Sequence, residues 1–224
     1  MVCWHGNRAD GWAGKAILDT TAFSEPRSTD KLPAFLNQFA AASKGGKDRR
    51  KPQKLSSAPN IEGSPHTLVI AGAGLRAADL TRVLRVYQTK ECMVAKLFAK
   101  HIKLTEAIET VSKSRIGIGV GTPQRIIDLL EDGAFCLCSV YVLSTFLPCL
   151  ALVLKRGSCA NLLAGALKSQ CIERIVLDAS HIDQKKRGLL DMKETQVPLV
   201  KLLTRAAFKD RYGIESDGVE LVFF

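Results

Sequence analysis

Several absences bound what this 224-residue sequence can do. No G-x-x-x-x-G-K-[ST] loop occurs anywhere in it, so the usual backbone cradle for nucleotide phosphates is missing. The strand-like run Ile175-Val176-Leu177-Asp178 leads into Ala179. Alanine there offers neither a carboxylate nor a group for proton transfer. There is no G-x-S-x-G elbow for a serine nucleophile, and Ser180 and His181, as neighbours on an extended segment, point apart. His5, His66, His101 and His181 fall on separate segments without metal-ligand spacing. Each reads as a surface or satisfied polar residue. The seven cysteines lack paired C-x-x-C spacing, and no signal peptide precedes them, so free thiols in a reducing compartment are expected. Cys92 and Cys171, at strand starts, read as small hydrophobes.

What is present is basic and apolar enough to fold. A hydrophobic content of 46% suffices for one core with attached segments, and a net charge of +10 favours polyanionic partners such as RNA. Residues 1–63 hold ten Lys/Arg against six Asp/Glu, so the excess is not confined to one end. The stretches Ser24 to Asp30 and Ser43 to Pro59 are rich in Ser, Pro, Gly and charge, and residues 1–63 read as mostly disordered. Within them Leu32, Phe35, Leu36 and Phe39 have helical spacing, an amphipathic segment able to dock on the domain or on a partner. Lys47, Arg49, Arg50, Lys51 and Lys54 form a basic cluster that reads as a nuclear-import signal, an RNA contact or a solvated linker.

From residue 64 onward apolar strands alternate with amphipathic helices. The spacing predicts strands at Thr67 to Ala71, Met93 to Phe98 and Ile172 to Leu177. It predicts helices at Leu75 to Tyr87, Leu104 to Ser112 and around Pro198 to Phe208. Such alternation predicts an α/β fold, a parallel sheet flanked by helices, with ligands gathering at the carboxyl ends of the strands. Between the second and third of these strands lies Arg115-Ile116-Gly117-Ile118-Gly119-Val120-Gly121-Thr122-Pro123-Gln124-Arg125. Ile116, Ile118 and Val120 share one face of a strand, and the three glycines share the other, where another backbone can approach. Thr122 then stands as a helix N-cap with Pro123 at the first helical position, and the helix runs to Gly133. Its free N–H groups beside Arg125 offer a phosphate seat. An ordinary capped helix accounts for the same spacing.

Phe135 to Leu154 is twenty residues without a charge, followed by Lys155-Arg156. Its length alone suits a membrane span, since about 20 apolar residues cross a bilayer core. Because an α/β unit needs only a short connection here, the run is read as an insert at 135–167, such as translated intron or a faulty gene model, with no membrane expected. A membrane span and an extra buried helix remain the other two readings. A second ambiguity is Gly72-Ala73-Gly74-Leu75-Arg76-Ala77, which satisfies G-x-G-x-x-A after a strand. The next strand ends Phe98-Ala99-Lys100-His101, without the acidic residue that a dinucleotide ribose needs. A dinucleotide-binding oxidoreductase is therefore the weaker reading of that turn, and a tightly packed strand-to-helix turn the stronger.

Three sets of residues carry a family resemblance: Lys96-Leu97-Phe98-Ala99-Lys100-His101-Ile102-Lys103; Gly119 to Arg125; and Asp183-Gln184-Lys185-Lys186-Arg187 with Leu190-Asp191-Met192. Together they resemble the Cms-one family of small-ribosomal-subunit biogenesis proteins, which is similar to the first RecA-like half of a DEAD-box RNA helicase. The resemblance covers about Ser64 to Asp132 and Lys168 to Phe224. The family's charged leader is shortened here, as expected of a partial or alternative gene product. It implies a RecA-like domain without a functional P-loop, a nucleolar location in the nucleus, and pre-ribosomal RNA or small-subunit pre-ribosome proteins as partners. Thr122, Pro123, Gln124 and Arg125 resemble the helicase T-P-G-R motif that holds RNA backbone, with Gln124 replacing glycine. Arg76 resembles the arginine of P-T-R-E-L, and Lys100 joins them as a backbone contact. Asp178-Ala179-Ser180-His181 stands at the D-E-A-D position as a degenerate ATPase motif. The expectation is a non-catalytic RNA-associated factor without metal or cofactor, with an ATP-dependent RNA helicase-like enzyme as the alternative.

Overall fold

The computed structural model describes residues 16–42, 55–98, 102–131, 166–214 and 218–224. Strands β1 (Thr67–Ile70), β2 (Met93–Leu97), β3 (Ile116–Gly121), β4 (Arg174–Leu177) and β5 (Glu220–Phe223) form one sheet in the order β2-β3-β1-β4-β5. Every pairing is parallel: Val69 lies beside Val120 on one side and Val176 on the other, and Leu177 lies beside Phe223. Helices cover both faces, so β1, β3 and β4 are buried throughout and are mostly apolar, with Thr67 and Arg174 as buried polar residues at the starts of β1 and β4. This is the parallel α/β arrangement expected from the alternation, and it is consistent with the RecA-like fold that the resemblance implies.

One layer contains α1 (Leu32–Ala42) and α2 (Gly74–Leu84). Phe35 and Leu36 of α1 and Leu80 and Leu84 of α2 bury against Val69, Val120 and Val176. The other contains α3 (Leu104–Ser112), α4 (Pro123–Glu131), α5 (Lys193–Leu203) and α6 (Ala206–Lys209). There Val111, Ile126, Leu199 and Phe208 pack on Leu68, Leu97 and Ile175. Ile116 joins this second layer instead of sharing a face with Ile118 and Val120. The register shift between Met93 and Val94, opposite Ile116 and Ile118, breaks the alternation at that end of the strand.

The composition of residues 1–63 misled for the parts described. Leu32 and Phe35 are fully buried, and the rings of Phe35 and Phe224 meet at 4.9 Å between centroids. The amphipathic segment therefore docks on the domain itself, and Ser24 to Asp30 is the ordered connection leading into it. The basic cluster at 47–54 and the uncharged run 135–154 lie outside the described residues. Among the described residues no helix is long and apolar enough to cross a membrane. Two further differences concern the C-terminal part. Helix α5 starts at Lys193, ahead of Pro198, which sits inside it. Strand β5 carries no period-two signal strong enough to find, because its burial comes from a neighbour 46 positions away, with Glu220 opposite Arg174.

Candidate functional site

The carboxyl ends of the five parallel strands bring together Gly72 to Arg76, Thr122 to Arg125, Asp178 to Ser180 and Phe224. At the centre is Asp178, one residue past β4 and 1% exposed. Its backbone N–H donates to the Ile70 carbonyl at 3.0 Å, which extends the β1–β4 ladder and fixes the direction of its side chain. Arg76, in the first turn of α2, donates from Nε to Asp178 Oδ2 at 2.6 Å and from Nη2 to Oδ1 at 3.2 Å. The same guanidinium reaches Ser180 Oγ at 3.0 Å and the hydroxyl of Thr29. Ser180 in turn donates to Asp178 Oδ1 at 2.8 Å. A fork-shaped cation thus satisfies a buried carboxylate in two-point geometry.

Arg76 is therefore engaged inside the domain through Asp178, Ser180 and Thr29. Arg125 is similarly engaged: it is 8% exposed and its Nη2 donates to the Ile102 carbonyl at 2.6 Å. The phosphate seat beside Thr122 thus lacks its guanidinium. Pro123 opens α4 as expected, and the Thr122 carbonyl accepts the first helical bond from the Ile126 N–H at 3.1 Å. Gln124 is exposed and ties its amide to Asp128 at 2.8 Å. Lys100 lies outside the described residues. Because of the register shift between Met93 and Val94, Gly117 does not share a face with Gly119: a Cβ on Gly119 would meet Leu97 Cδ1 at 2.8 Å, and one on Gly117 would overlap Cys92 Sγ on the opposite side of the sheet. At Gly121 the obstacle is backbone, the Leu97 carbonyl.

The G-x-G turn is likewise filled. A Cβ on Gly72 would lie 2.6 Å from Met192 Cε and 3.3 Å from Leu189 Cδ1, so the 189–192 segment occupies the space a pyrophosphate would need. Tight packing explains those glycines. Cys92 is buried, and burial raises its thiol pKa, as befits an inert small hydrophobe. The RecA-like fold implies a nucleotide with magnesium, and the residues do not fit one. Both oxygens of Asp178 already hold a guanidinium, and Ala179 adds no carboxylate.

Positive charge is displayed a few residues further on. Asp183 to Arg187 folds into a turn closed by the Lys186 N–H to the Asp183 carbonyl at 2.8 Å and by an Arg187–Asp183 ion pair at 3.0 Å. Lys186 takes a positive φ of 57° there, and Lys185 and Lys186 stand exposed at the tip. Sequence reading used this tract only for the resemblance. Thr29 was missed altogether, for nothing local marks it.

Fold and site define a RecA-like α/β domain whose buried strand-end aspartate is clasped by an arginine. A family model described as "CMS1: U3-containing 90S pre-ribosomal complex subunit" matches residues 12–143 and 156–224, and the chain belongs to that family. Its description ties the family to ribosome biogenesis. "Protein CMS1" of Chaetomium thermophilum is 44% identical over 209 residues, covering 93% of this chain and 67% of its own length. "Protein cms1" of Schizosaccharomyces pombe is 29% identical over 188 residues, covering 84% and 51%. "Protein CMSS1" of Danio rerio is 33% identical over 136 residues, covering 61% and 35%. The chain thus spans between about a third and two thirds of these relatives. The match begins at residue 12, so part of the leader belongs to it. The gap at 144–155 covers the second half of the uncharged run and Lys155.

Proposed function

We propose that the chain acts as a non-catalytic, RNA-associated assembly factor in small ribosomal subunit biogenesis, working in the nucleolus on the early pre-ribosome. The observation that carries this reading is the family match over most of the chain, to a subunit of a U3-containing pre-ribosomal complex. Two features of the domain support its finer parts. Asp178 is committed to Arg76 and followed by alanine, so this strand end offers no free carboxylate to activate water. The exposed Lys103, Lys185 and Lys186 lie after the strand ends, where such sheets meet their ligands, and the whole chain carries +10. Thr122 and Gln124 border the same edge.

Phosphate contacts dominate affinity in such an interface, so binding of fluorescent pre-rRNA fragments to the full chain is expected to weaken steeply with salt. Each lost lysine contact should reduce the slope of log K against log salt by roughly 0.7 for single-stranded RNA. Lys185→Ala with Lys186→Ala is the variant to compare. Salt-insensitive binding, or none, would turn the reading toward a scaffold for pre-ribosomal proteins. RNA-stimulated ATP hydrolysis would restore the helicase alternative.

A further inference from the structure

We propose that the Arg76 guanidinium is a built-in replacement for a divalent cation, so that the centre of this domain is a metal site filled by the chain's own side chain. The inference is independent of RNA binding and rests on which groups surround Arg76.

Ile17 forms a parallel bridge to Leu221, and the Leu18 N–H donates to the Leu221 carbonyl at 2.9 Å. The chain therefore runs briefly along the free edge of β5, loops through Asp19 to Ser28, and enters helix at Thr29–Lys31 and α1. This strand–loop–helix unit has the plan of a phosphate-binding loop, with a hydroxyl at the start of its helix. In P-loop proteins that Ser/Thr hydroxyl and the aspartate ending a neighbouring strand hold one magnesium ion between them. Here the corresponding groups are Thr29 and Asp178, and both are bound by Arg76. A single positive charge thus stands where a hydrated divalent ion would stand.

The loop itself is shut. Arg27 donates from Nη1 to the Phe223 carbonyl at 3.0 Å and from Nη2 to Thr20 Oγ1 at 2.9 Å. A side chain thus ties the loop to the end of β5. Magnesium needs near-octahedral oxygen ligands at about 2.1 Å with several waters, and a fork of nitrogens in that place excludes that shell.

Removing the fork should uncover the metal preference of the oxygens left behind. The test is thermal unfolding of the full chain in MgCl2 or MnCl2 against NaCl of equal ionic strength. Wild type is expected to show no specific response. Arg76→Ala should melt lower and recover part of the loss with either divalent salt, by binding only the folded state. Arg76→Ala with Asp178→Asn should regain stability without metal and lose the response. If Arg76→Ala does not fold, Arg76→Gln or refolding from urea with and without MnCl2 answers the same question. A divalent-specific rise in wild type would overturn the inference. So would indifference of both single variants to metal, including in refolding.

Discussion

Arg125 Nη2 donates to the Ile102 carbonyl at 2.6 Å, tying the start of α4 to the segment that leads from β2 to α3. The residue most easily read as a phosphate ligand is thus a clamp between two connections. Arg125→Ala is expected to cost about 2 kcal/mol, the typical worth of a hydrogen bond made by a charged group. Urea denaturation measures that loss, and RNA affinity of the folded variant should stay within twofold of wild type. Weakened RNA binding at unchanged stability would reverse the assignment.

Gly121 and Gly119 separate two reasons for glycine on one strand. A methyl group at Gly121 collides with the Leu97 carbonyl, which the β2–β3 ladder holds in place, whereas one at Gly119 meets the movable end of the Leu97 side chain. Gly121→Ala is expected to cost roughly 1–3 kcal/mol as overpacking, and Gly119→Ala about 1 kcal/mol or less. Equal melting temperatures for the two variants would contradict this.

Phe35 contacts the rings of Phe23, Phe39 and Phe224 with centroids 4.7–5.2 Å away. Phe35→Ala should lower stability by about 3–5 kcal/mol. A chain starting at residue 64 should fail to give a cooperative unfolding transition, because α1 supplies much of one layer of the core. Cooperative folding of that shorter chain would remove α1 from the domain.

His66 is fully buried, and its pKa is pushed down to about 4, first by burial and then by the nearby positive charge of Arg174. The unfolded chain takes up this proton near pH 6.5 while the folded chain resists until about pH 4. Stability from this group is therefore complete above pH 6.5 and declines as pH falls toward 4. The loss between pH 6.5 and pH 5 is about 2 kcal/mol. His66→Asn should flatten that part of the stability curve, read from urea midpoints at both pH values. An unchanged slope would place the titrating group elsewhere.

The alternation of strand and helix was legible because short apolar runs alternate with amphipathic helical spacing from Thr67 to Glu131. Thr122-Pro123 announced the start of α4 by local backbone chemistry alone. The roles of Arg76 and Arg125 were not legible. Arg76 meets Asp178 across 102 positions, and Arg125 meets Ile102 across 23, so no window of sequence contains either pair. A motif reading placed both arginines outward on RNA, while the fold turned them inward to satisfy buried oxygens.

Short-range pattern was thus enough to specify a parallel α/β sheet and its glycine-rich strand, since these depend on residue type and spacing. Three-dimensional packing alone settled that α1 completes the core, that the G-x-G turn is filled by Met192, and that Asp178 has an arginine for its counter-charge. Desolvation is the reason: a carboxylate 1% exposed must find a partner, and which one it finds depends on what folding brings within reach.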